Sequence, residues 1–150
     1  MKPLLPSLAT VAALALAAAF AAPAFSAGDE VVMYKDPNCG CCTKWAEHMR
    51  AAGFKVKEIK SPQMSTVKRE AGVPQAMASC HTAKVGGYVV EGHVPAADVK
   101  RLLAEKPKVV GIAAPGMPMG SPGMEGAYPA DRYEVVSFAA DGTTRVFANH

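Results

Sequence analysis

Val31-Val32-Met33-Tyr34-Lys35-Asp36-Pro37-Asn38-Cys39-Gly40-Cys41-Cys42 is the stretch on which the fold turns. The apolar run from Val31 to Tyr34 reads as a buried strand. Asp36-Pro37-Asn38 breaks it, and Asp36 or Asn38 can cap a helix that begins near Gly40. Three of the four cysteines in the chain fall within four residues of that strand-to-helix turn. Unpaired backbone N–H groups at a helix start carry partial positive charge and favour thiolate. Thiols crowded at such a turn suit disulfide exchange, soft-metal binding, or both.

Working outward, Trp45, Met49 and Ala52 recur at helical spacing, Lys44, Glu47 and Arg50 face the other way, and Gly53 stops the helix. Phe54 to Ile59 alternates apolar and polar, as a half-buried strand does. These three segments form a βαβ unit whose strands run parallel. Ser61-Pro62 reads as an N-cap and first helical residue, opening a helix with Met64, Val67 and Ala71 that Gly72 ends. Val73-Pro74 leads into an extended stretch through Cys80 and His81, and Gly86-Gly87 turns the chain into a strand at Tyr88 to Glu91. A further helix starts at Pro95, carries Val99, Leu102 and Leu103 on one face, and ends at Lys106-Pro107. The order βαβαββα predicts an α/β fold with a thioredoxin-like core. Residues 107–150 form an appendage expected to cover one side of this domain. It comprises the apolar run Val109 to Ile112, a Gly/Pro/Met-rich loop at 115–129, and a hairpin. The hairpin strands, Tyr133 to Phe138 and Thr143 to Phe147, flank Asp141-Gly142.

Residues 1–24 read as a secretory signal peptide. Lys2 supplies the positive start, Leu8 to Ala22 the apolar stretch, and Ala22-Pro23-Ala24 the cleavage site, with Ala24-Phe25-Ser26 as an alternative cut. The apolar stretch is shorter than the roughly 20 residues that span a bilayer. No stable membrane insertion is expected after cleavage, and the alanine-rich style points to a bacterial periplasm. Residues 25–150 then form a single domain. The whole chain carries a formal charge of +3 from 16 basic and 13 acidic residues. Losing Lys2 leaves +2, which with no aromatic-basic stripe argues against nucleic acid. An exported protein with four cysteines would ordinarily carry structural disulfides. Bridges among near-contiguous cysteines close almost no loop and stabilise little, so reactivity or metal explains the run better.

Cys39 and Cys42 make a C-x-x-C pair, and Cys41 complicates it. Disulfide exchange needs two thiols, and a third beside them invites scrambling. A tetrahedral zinc ion is served by spaced pairs, whereas vicinal thiolates bridge several ions. Four thiolates carry −4, which one zinc ion leaves at −2 and four monovalent copper ions neutralise. Soft thiolate and thioether donors select Cu(I). A polynuclear Cu(I) cluster on Cys39, Cys41, Cys42 and Cys80 is therefore coherent, and zinc is disfavoured. Cys80 by itself reads equally well as a small buried core residue; the predicted layout brings its strand beside the first turn. His81, expected to point to the opposite strand face, suits hydrogen bonding. His93 is a turn histidine or a further metal ligand. Met117, Met119 and Met124 lie on a Pro/Gly loop without an obvious core, as flexible packing or as a thioether site that captures or hands over copper. His48 reads as a surface residue.

Five blocks in order resemble the CopG-type family of small bacterial periplasmic copper-resistance proteins, long catalogued as a domain of unknown function. They are Tyr34-x4-Cys39-Gly40-Cys41-Cys42-x2-Trp45, Gly72-Val73-Pro74, Ser79-Cys80-His81-Thr82-Ala83, Glu91-Gly92-His93-Val94-Pro95-Ala96, and Pro115-Gly116-Met117-Pro118-x-Gly120-Ser121-Pro122-Gly123-Met124-Glu125. The resemblance runs from about residue 31 to 126. It implies a thioredoxin-like fold, a cysteine-bridged polynuclear copper cluster on Cys39, Cys41, Cys42 and Cys80, and a redox role in copper detoxification. The expected partners are copper ions and another periplasmic copper-handling or electron-transfer protein. Two other readings stay open: a thiol-disulfide oxidoreductase using Cys39 and Cys42, and a passive copper carrier.

Overall fold

A computed structural model describes residues 30–150; the expected signal peptide at 1–24 lies outside the described residues. The described chain forms a mixed α/β fold with one seven-stranded sheet and three α-helices. Strand β1 (Glu30–Lys35) leads into helix α1 (Gly40–Ala51), and β2 (Lys55–Lys60) returns beside β1 in parallel, completing the expected βαβ unit. Helix α2 (Met64–Glu70), the hairpin of β3 (His81–Val85) and β4 (Tyr88–Glu91), and helix α3 (Ala96–Glu105) follow in the order read from the sequence. Strands β5 (Gly111–Ala113), β6 (Glu134–Phe138) and β7 (Thr144–Asn149) complete the sheet, ordered β2-β1-β3-β4-β5-β6-β7.

Strand alternation distributes the apolar side chains to both sheet faces. Val31 and Met33 of β1, Ala83 and Val85 of β3, Val90 of β4 and Ile112 of β5 pack with Trp45 and Met49 of α1 and Val99 and Leu102 of α3. The neighbouring residues Val89 and Ala113 point the other way, joining Ala71, Val73 and Phe138 in a second, smaller core. Both faces of the central strands are thus buried.

Three local expectations change. The first helix is capped by Cys39 itself, whose Sγ accepts from the Cys42 N–H at 3.3 Å, while Asp36 accepts from the Asn38 N–H in the preceding turn. Helix α2 begins at Met64, and Ser61 caps only the turn before it, accepting from the Gln63 N–H. The stretch after Pro74 is not uniformly extended: Gln75–Met77 is one turn of 3-10 helix, and Cys80 sits in a bend before β3.

The appendage differs in placement. Its strands continue the sheet, β5 parallel to β4, with β6 and β7 beyond. The hairpin closes at Asp141-Gly142, as read from the sequence. It covers α3 only at the side: His150 Nε2 lies 2.7 Å from Asp98 Oδ2, and Arg101 stacks on the Phe147 ring. The loop between β5 and β6 instead folds back over the cysteine turn.

Candidate metal centre

The sulfur atoms converge where β1 enters α1. Cys39 and Cys42 are joined by a disulfide with their Cα atoms 5.5 Å apart, while Cys41 and Cys80 are free. Cys41 Sγ lies 3.4 Å from Cys39 Sγ, and Cys80 Sγ lies 3.4 Å from Cys42 Sγ. All four sulfurs lie within 4.8 Å of one another. Chain contiguity places the first three at the N-terminal turn of α1; the bend before β3 delivers the fourth from 38 residues away. The structure therefore brings Cys39, Cys41, Cys42 and Cys80 together, in a form where two of them are bonded to each other.

The donor chemistry fits copper. Four soft sulfurs within bridging distance are what Cu(I) selects, provided the disulfide is reduced by two electrons. Cys42 is fully buried, whereas Cys39, Cys41 and Cys80 are half-buried, so the cluster is reachable from one side. Burial, with the neighbouring Cys41, pushes the Cys80 thiol up to about 12. A metal ion that binds this sulfur competes with its proton. Two buried or half-buried lysines border the site. Lys35 donates to the Cys39 carbonyl at 2.7 Å and to Thr43 Oγ1 at 2.8 Å, and Lys68 offsets part of the upward pressure on Cys80.

His81 departs from its expected orientation. Because β3 begins at His81 and Cys80 precedes it in a bend, strand alternation does not separate the two side chains. His81 points with Ala83 and Val85 toward α1, its ring 4.5 Å from that of Trp45 and its Nδ1 3.3 Å from Cys80 Sγ. It is fully buried, and its Nε2 has no hydrogen-bond partner. His93 is also fully buried, with Nε2 2.8 Å from Cys80 Sγ and Nδ1 2.7 Å from the Pro122 carbonyl. Burial lowers the pKa of both imidazoles, that of His81 well below the ordinary value, so both are neutral and able to ligate.

The Gly/Pro/Met loop reaches this site through its backbone. Gly116 pairs with Ser79, next to Cys80, and the Ser79 hydroxyl donates to the Gly116 carbonyl. Gly123 has φ +88°, and a Cβ there would sit 2.6 Å from the Cys41 carbonyl and 2.9 Å from the Trp45 nitrogen. Only glycine allows this approach. Of the loop methionines, Met117 is half exposed at 50%, while Met119 and Met124 are half-buried. His48, read as a surface residue, is half-buried and accepts from the Ala96 N–H, capping α3.

A buried carboxylate escaped the sequence reading. Glu91 is fully buried and accepts from Lys68 Nζ at 2.6 Å, the Ser79 N–H at 2.7 Å and the Thr82 hydroxyl at 2.6 Å. It pins the bend that carries Cys80 to β4 and α2. The signal was present: β4 alternation puts Glu91 on the same face as the buried Val89. A carboxylate there needs partners.

The family described as a protein of unknown function, DUF411, matches residues 77–124, the segment that holds Cys80, His93 and the loop. No curated protein matches the chain. Among solved structures, the chain is similar to copper resistance protein CopG in two forms. Form 2 is 46% identical over 82% of this chain and 98% of that one, with a TM-score of 0.78. Form 1 is 47% identical over 81% and 97%, with a TM-score of 0.77.

Proposed function

Since this chain belongs to the family of copper resistance protein CopG, we propose that it is an exported, periplasmic copper-binding protein with a thioredoxin-like core. Its four cysteines hold a polynuclear Cu(I) cluster in the reduced state. The observation that carries this reading is the convergence of Cys39, Cys41, Cys42 and Cys80 within 4.8 Å. Bound copper supplies one-electron chemistry and neutralises the thiolate charge. The chain's residues do the rest. Cys41 and Cys80 offer free thiols, and the Cys39–Cys42 pair stores two electrons when its disulfide opens to two thiols. Lys35 and Lys68 moderate the negative charge, and the loop at Gly123 limits access of water. Copper ions and a periplasmic copper-handling or electron-transfer protein are the partners this chemistry calls for. The loop methionines Met117, Met119 and Met124 are the entry or hand-over donors.

Anaerobic loading of the reduced protein with Cu(I), followed by metal analysis, tests the reading. More than one copper per chain is expected, falling sharply in each single Cys→Ser variant. One copper per chain, or a preference for zinc, contradicts it.

The Cys39–Cys42 disulfide at a helix start favours a second reading, thiol-disulfide exchange, with the more exposed Cys39 as the sulfur that is attacked. Disulfide reductase activity that survives loss of Cys41 and Cys80 would select it.

A further inference from the structure

The four-sulfur site leaves two buried imidazoles without a role. His81 Nδ1 lies 3.3 Å from Cys80 Sγ, and His93 Nε2 lies 2.8 Å from it. The three donor atoms fall within 4.8 Å of one another. The second nitrogen of His93 faces the Pro122 carbonyl at 2.7 Å, an acceptor only. Nδ1 must therefore carry the ring proton, and the lone pair of Nε2 faces Cys80. A histidine oriented by a backbone carbonyl, with its other nitrogen directed at a shared point, is the usual support of a metal ligand. His81 is fully buried; its Nδ1 lies toward Cys80 Sγ, and its Nε2 has no hydrogen-bond partner.

Redox state separates this group from the cluster. The disulfide withdraws Cys39 and Cys42 as thiolate donors and leaves Cys41 and Cys80 free; of these two, Cys80 is the one grouped with the imidazoles. One sulfur and two imidazole nitrogens make a harder donor set than four sulfurs. Such a set suits divalent copper, zinc or cobalt better than Cu(I). With metal–sulfur near 2.3 Å and metal–nitrogen near 2.0–2.1 Å, a tetrahedral ion would hold S and N about 3.5 Å apart. The observed 2.8 and 3.3 Å separations need open by less than about 1 Å to admit it.

We propose that in the disulfide form Cys80, His81 and His93 make a second metal site, for one divalent first-row ion of borderline softness. Three protein donors leave a fourth position open. The site shares Cys80 with the cluster but does not rest on it, because it operates when the disulfide is closed.

The test uses the disulfide-intact protein without reductant, titrated with Co(II), which does not oxidise thiols. One Co(II) per chain is expected, with a thiolate-to-cobalt charge-transfer band. His81→Gln and His93→Gln should each weaken binding at least tenfold. Should either variant fail to fold, the wild-type protein labelled with ¹⁵N-histidine and titrated with Zn(II) decides the matter. The ring nitrogens of His81 and His93 should shift together and saturate at one equivalent. Absence of the charge-transfer band, or imidazole shifts confined to His48 and His150, would overturn the proposal. The cluster test uses reduced protein and Cu(I), so either reading can fail alone.

Discussion

Cys80 stands between two donor groups of different origin. On one side are Cys39, Cys41 and Cys42, packed into one helical turn by their adjacency in the chain. On the other are His81 and His93, drawn together by the β3–β4 hairpin, with His93 held by the loop at Pro122 and Gly123. The first group is a local structure that any N-terminal helical turn would present. The second exists only while three separate segments stay docked. Damage to the tertiary contacts should therefore reach the imidazole side first and leave the cysteine turn able to form its disulfide.

Removing the shared atom has the largest expected effect. Cys80→Ser should lower Cu(I) affinity of the reduced protein at least tenfold, read by anaerobic competition with a Cu(I) chelator, and should also erase the Co(II) charge-transfer band of the disulfide form. Retained Cu(I) affinity would mean that the cysteine run suffices and that the two sides are not joined through Cys80.

Glu91→Ala comes next. It leaves Lys68, the Ser79 N–H and the Thr82 hydroxyl without their acceptor beneath the Cys80 bend. Breaking a buried charge pair of this kind costs about 3–5 kcal/mol. Because Lys68 is partly exposed and can turn to water, about 3 kcal/mol is expected in chemical denaturation. The Cys39–Cys42 disulfide should still form. Failure of that disulfide would show that the cysteine turn depends on the same tertiary contacts.

Gly123→Ala forces a Cβ against the Cys41 carbonyl at a left-handed backbone position. A cost of about 1–3 kcal/mol is expected, with weaker Co(II) binding as Pro122 shifts away from His93. Unchanged thermal stability would contradict the close approach of the loop. The smallest effect belongs to Met117, Met119 and Met124. Replacing all three with leucine should change stability by less than about 0.5 kcal/mol and leave bound copper unchanged. Transfer to a chelator, followed in stopped flow, should slow if these residues hand copper over.

The same contrast separates what the sequence disclosed from what it hid. The βαβ unit, the Gly53 and Gly72 stops and the Asp141-Gly142 hairpin depend on periodicity and turn chemistry within a few residues, and each was legible. Cys39, Cys41 and Cys42 were legible as a group because soft donors at that density have few uses; Cys80 joined them only through the predicted placement of its strand. His81 departs from its expected orientation because Cys80 sits in a bend before β3, so strand alternation does not separate the two side chains. The Glu91–Lys68 pair spans 23 residues and two elements, so no local pattern joined them. Nor could sequence show that the loop reaches the site through the backbone of Gly123.

On the function proposed above, copper in the reduced protein is held by sulfur and shared among the cysteines. Copper-edge X-ray absorption on the anaerobically Cu(I)-loaded protein tests it most directly. A first shell of sulfur with a resolved copper–copper vector is expected. A shell dominated by oxygen or nitrogen, with no copper–copper vector, would contradict it.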